Sequence, residues 1–149
     1  MARNNFAHTT LSAFALVAAT EKTLLQINNA TNILLAITGV DITFDGTSNS
    51  AIPVVVKLLK VSTSGTGTVR NPLKTKDTST TLQATGTENH TVEGTNGNVM
   101  RIFHVHPQAG VTYSIPMRDE VELATAERIA LKVTAPAAVN ALATIHGEE

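Results

Sequence analysis

The chain has no cysteine and no tryptophan, and its one tyrosine is Tyr113. Without cysteine, a disulfide framework, a zinc ribbon and a thiol nucleophile are excluded. Aromatic residues make up only 3% of the 149 residues, which argues against a sugar-binding groove built on ring platforms. Charge is scarce as well, at 15% against roughly 25% in ordinary soluble domains. Eleven Lys and Arg face twelve Asp and Glu, for a net charge of −1, so there is no electrostatic footprint for nucleic acid. No apolar run approaches the ~18–20 residues that cross a bilayer as a helix.

Threonine, alanine and asparagine fill the space left by charge. With 42% hydrophobic residues the chain is too apolar for intrinsic disorder, and its length suits one domain with a core of its own. Leu11–Ala19 follows Arg3, and Val17-Ala18-Ala19 has the small residues of a cleavage site. A single Arg makes a weak start for a signal peptide. The placing of Leu11, Ala13, Ala15 and Val17 on one face instead predicts a first strand.

Further strands are predicted over Glu21–Asn28, Ile33–Phe44 and Ile52–Ser62. Val40, Ile42 and Phe44 alternate with Asp41 and Thr43, and Gly39 marks a bulge or bend. Asp45-Gly46-Thr-Ser-Asn-Ser reads as a turn, and Pro53 as a strand entry. Residues 63–98 are rich in short polar side chains, with Leu73, Leu82 and Val92 as the expected anchors. Asn96-Gly97 is a tight-turn signal leading into Val99–His106. There Met100, Ile102 and His104 face one way, and Arg101, Phe103 and Val105 the other. Val111–Met117 follows, then Arg128–Thr134 and Val139–His146, joined by Ala135-Pro136-Ala137-Ala138. Asp119–Glu127 has room for one helical turn. The expected fold is all-β: a single-domain antiparallel β-sandwich, jelly-roll-like, of about eight strands. Met1–Thr10, polar except for Phe6, is expected to be an N-terminal arm ahead of a β-sandwich domain spanning 11–149.

Catalytic constellations are hard to find. His104 and His106 share a strand face and could hold a metal together. A cupin-like site needs an acid shortly afterwards and a third histidine downstream. Residues 107–113 contain no acid, and the next histidine is His146, so the pair reads as half-buried structural histidines with no metal or other cofactor. Asp119, Glu120 and Glu122 beside Arg118 read as a solvated turn. No Gly-x-Ser-x-Gly elbow is present. Gly65-Thr66-Gly67 and Gly94–Gly97 lack the lysine or helix of a phosphate cradle. Asn29-Ala-Thr31 and Asn89-His-Thr91 fit the glycosylation pattern, which a chain rich in Asn and Thr produces by chance. Small residues such as Ala141, Ala143 and Ala124-Thr-Ala126 suit the close sheet contacts of a symmetric homo-oligomer.

Several phrases point to a family. Phe14-Ala-Leu-Val-Ala-Ala-Thr-Glu-Lys-Thr23, Val40-Asp-Ile-Thr-Phe-Asp-Gly-Thr-Ser48, Val54-Val-Val-Lys-Leu-Leu59 and Glu127-Arg-Ile-Ala-Leu-Lys-Val-Thr-Ala-Pro-Ala-Ala-Val-Asn140 resemble, in order, head decoration (capsid cement) proteins of tailed bacteriophages. The resemblance implies a non-catalytic β-sandwich subunit, a homotrimer on the outer surface of the virion capsid, with the major capsid protein as partner. It implies no nucleic-acid or membrane partner. Arg3, Asn4, Asn5 and Phe6 are then expected to contact the capsid or a neighbouring subunit. A tail or fibre adaptor, a carbohydrate-binding β-sandwich and a cupin-like metalloenzyme on His104 and His106 remain alternatives. A gene beside that of the major capsid protein would favour decoration over tail, and a third ligand near the histidine pair would favour the enzyme.

Overall fold

β-branched side chains, stiff at χ1, favour extended backbone and pack well on pleated surfaces. The computed structural model describes residues 4–46, 52–76 and 80–149 and has no helix among them. The strands run β1 (Asn5–Thr9), β2 (Phe14–Leu16), β3 (Glu21–Asn28), β4 (Leu35–Phe44) and β5 (Val54–Thr63). β6 (Thr66–Val69), β7 (Leu73–Lys74), β8 (Thr85–Val92) and β9 (Thr95–Val105) follow. The last four are β10 (Gly110–Ser114), β11 (Val121–Leu123), β12 (Arg128–Thr134) and β13 (Val139–Glu148).

Two antiparallel sheets form a sandwich. One has seven strands in the order β10-β4-β13-β1-β7, with β11 also on β4 and β2 on β13; the other has six, β6-β8-β3-β12-β5-β9. The core lies between them. Leu25 and Ile27 of β3, Val54, Val56 and Leu58 of β5, and Ile129, Leu131 and Val133 of β12 meet Phe6, Ile37, Val40, Ile42 and Ile145 of the other sheet. Burying each such side chain contributes about 1.5–3 kcal/mol. A bulge where Leu131 and Lys132 face Leu25 and Thr23 leaves Leu24 as the extra residue. Leu24 and Leu25 therefore both enter the core, and Thr23 comes level with Lys132.

The thirteen strands among the described residues exceed the eight expected, because β1, β6, β7, β8 and β11 are short or have few apolar residues and escape the hydrophobic pattern. The N-terminal arm is corrected for residues 4–10: β1 is an integral strand, paired along its length with β13. Phe6 is 1% exposed and Asn4 is buried, so neither is a free contact residue, and Arg3 lies outside the described residues. The strand expected over Leu11–Val17 shortens to β2, with Leu11 and Val17 exposed. β11 takes the place of the helical turn in Asp119–Glu127. The chain turns before Thr95, and β9 runs through Asn96 and Gly97. Ala135–Ala138 carries the chain from one sheet to the other, since β12 and β13 lie in different sheets. The turn expected from Asp45 to Ser50 lies largely outside the described residues.

Candidate functional site

The outer face of the six-stranded sheet is partly roofed over. Irregular pairing of β5 with β9, from Leu59 to Thr63, curls the β5–β6 and β8–β9 turns across it. Leu59, Val61 and Ala130 form a small second core beneath. Beside them lies Lys132, its side chain 2% exposed, with Nζ 3.0 Å from Glu93 Oε2 and 3.7 Å from Glu21 Oε1. The ammonium also donates to the Gly94 carbonyl at 3.1 Å. The Thr23 hydroxyl and its N–H both donate to the Glu93 carboxylate. Lys57 and Asn96 donate to Glu21, at 2.9 and 2.8 Å.

Partial burial raises the Glu93 pKa, but hydrogen bonds from Thr23 and Lys132 and the Lys132 charge outweigh it, leaving it below its ordinary value. Glu21 behaves alike: burial opposes, while hydrogen bonds from Asn96 and Lys57 and the Lys57 and Lys132 charges prevail. The result is an ionic clasp whose members satisfy one another. It ties the Glu93-Gly94 turn to the centre of the sheet.

A separate buried polar group links the two sheets. His8 on β1 is 0% exposed, and its Nε2 donates to the Thr87 carbonyl on β8 at 3.2 Å. Burial pushes the ring down to about 4, and the nearby Arg70 cation adds to this against the Thr87 and Gln26 carbonyls. Arg70 Nε donates to Thr9 O at 2.7 Å and lies 3.7 Å from Glu88 Oε2, which accepts from the Leu11 N–H. His90 is also buried, its Nε2 2.8 Å from Thr87 Oγ1. Burial again lowers the ring, Glu93 raises it and Lys132 lowers it further. Asn89, with φ of 49°, interrupts the alternation of β8 just before His90, whose ring lies on the outer side beneath the roof, among Thr87, Gly65 and Gly67.

Gly65 and Gly67, which read as loop glycines, are the floor for that ring. A Cβ on Gly67 would stand 2.4 Å from His90 Cδ2 and 2.7 Å from Glu88 O. Gly67→Ala is expected to cost about 1–3 kcal/mol by overpacking, read as a lower urea midpoint with unchanged slope.

The residues singled out in the sequence fall elsewhere. His104 and His106 are both exposed, not half-buried, at the end of β9, and His106 Nδ1 accepts from the Gln108 N–H. Among the described residues no group of three or more His, Asp or Glu is placed to hold a metal ion. His146 instead pairs with Asp41 at 2.6 Å on the outer face of the seven-stranded sheet. Asn29 is buried and spends its amide on the carbonyls of Ile33, Leu123 and Ala124. Its motif is structural. Ala141 and Ala143 point into the core, not towards a neighbour, while Ala124–Ala126 is exposed.

That outer face has a low profile. Cross-strand registers align Thr112, Asp41, Thr144 and Thr9 in one row, and Ser114, Gly39, His146, Ala7 and Leu73 in the next. Leu142 and Leu73 are exposed. An open groove of 630 Å³ beside β11 is lined by Met117, Arg118, Glu120, Glu122 and Glu148 over Ala36. Sequence reading missed Lys132, Glu93, His8 and His90. The placing of Phe6, His8 and Thr10 on one face was the available signal for β1; nothing local marks the roof over Lys132.

Comparison with family models, curated proteins and solved structures gives no match.

Proposed function

We propose that the chain is a non-catalytic decoration protein of a tailed-phage head, bound to the outside of the assembled shell through the major capsid protein. The observation that carries the reading is the outer face of the seven-stranded sheet. Short side chains in register, with Leu142 and Leu73 exposed among them, make a broad face suited to another protein surface. Most of the remaining support is the resemblance of four phrases along the sequence. The chain passes repeatedly between its sheets, which suits a jelly-roll-like winding.

A subunit of this size can offer about 800 Å² to a partner. Three such contacts in a homotrimer raise the avidity by roughly 10²–10⁴ without new chemistry. A ligand that binds only the assembled lattice stabilises it by mass action. Heads lacking the protein are expected to assemble but release DNA at a lower temperature than decorated ones, and added protein restores them. Equal stability of bare and decorated heads, or location in the tail, refutes the reading.

A further inference from the structure

We propose that β1 is an acid-released strand, clamped to β8 by the buried ring of His8 and let go when that ring takes a proton. β1 is held along its length on one side by β13 and on the other, among the described residues, by short β7 with single bonds from Thr75 and Arg70. Its inward anchors are Phe6, His8 and Thr10, and His8 is the one that reaches the opposite sheet by a hydrogen bond.

The neutral ring fits its place. One nitrogen donates to Thr87 O, and the other, Nδ1, has no hydrogen-bond partner. A proton added there would have only the Gln26 carbonyl near it, the weakest of the influences on the ring, which does not offset burial of the charge. The charged groups around the ring are Arg70, from the segment between β6 and β7, and Glu88 of β8. The Glu88 carboxylate is already engaged by Arg70 and the Leu11 N–H, and Arg70 repels a second cation. β3 contributes only the Gln26 carbonyl, and β13 places apolar Ile145 opposite His8. On the outer faces, His146 is paired with Asp41, and His90 lies among Thr87, Glu93 and Lys132.

Release relieves the penalty. Freed, the ring returns to water and to its ordinary value near 6.5, against about 4 in place. The detached state therefore binds more protons between those values. The attached state keeps its full advantage above about pH 6.5 and loses it as the pH falls towards 4. Between pH 7.5 and 5.0 the attachment equilibrium shifts by about 30-fold. The opening is local, since β12 and β3 keep their own ladder and core.

Amide hydrogen exchange on the full chain, corrected for intrinsic rates, tests this at pH 7.5 and 5.0. The expected result is about 30-fold lower protection in the 4–10 segment at pH 5.0, with β12 better protected than β1 at both pH values. In His8→Gln, which stays neutral and can still donate to Thr87 O, the loss is expected to vanish. Should that variant fold poorly, the His8 ring signal followed by NMR in the unaltered protein is expected to titrate together with the loss of β1 protection. Unchanged β1 protection, the same loss in a folded His8→Gln, or β1 protected as strongly as β12 overturns the proposal.

Discussion

Phe6→Ala is expected to lower the unfolding free energy by about 4 kcal/mol, in the middle of what a lost aromatic core side chain costs. The ring is 1% exposed and lies across from Gly147 on β13. The neighbouring backbone fits it closely: a Cβ on Gly147 would stand 2.4 Å from the Phe6 ring. Since domains of this size are stable by only about 5–15 kcal/mol, removal of residues 1–10 is expected to take most of the stability, while the remainder still melts cooperatively at low denaturant. Denaturant melts of both variants check this. A truncated chain that melts like the whole one would restore the view of this segment as a detachable arm.

Lys132→Met comes next, with an expected loss of about 3 kcal/mol. Removing one member of a buried ion pair leaves its partners uncompensated, a change that costs about 3–5 kcal/mol. The lower end applies because Glu21 and Glu93 keep 27% and 33% of their side-chain surface in water. Glu93→Gln is expected to cost less, about 1 kcal/mol, since the amide still serves Thr23 and the Glu21 charge remains. The ordering of the two losses in urea melts is the informative quantity. If Lys132→Met proves neutral, the clasp adds no stability over an apolar side chain of similar length.

The parts of this fold that were legible in the sequence are those whose buried positions are apolar. β3 and β12 occupy the predicted Glu21–Asn28 and Arg128–Thr134, and β4 shows the expected alternation from Val40. The bulge expected near Gly39 is there, where β13 shifts register between His146 and Gly147. β8 was illegible because its buried positions are Gly86, Glu88 and His90, and hydrophobic periodicity cannot see a polar interior. Gly97 misled for a related reason. It serves a close approach, with an added Cβ only 2.8 Å from Lys60 O, and not a turn. The Lys132 clasp depends on a roof supplied by residues about 38 positions away, such as Gly94, which no local pattern encodes.

The place of β13 has a consequence for how the protein is made. It sits inside the seven-stranded sheet, between β4 and β1, and also carries β2. While a ribosome is still short of residue 139, those three strands have no common neighbour, and the inner faces of β1 and β4 stand open. Pairings as distant as Asn5 with Glu148 form slowly, because the loop must close before any contact rewards it. The nascent chain therefore spends nearly its whole synthesis with half of the sandwich unassembled. Chaperone binding during translation is the natural protection for such an interval, and a stop codon anywhere before β13 would yield a sticky fragment.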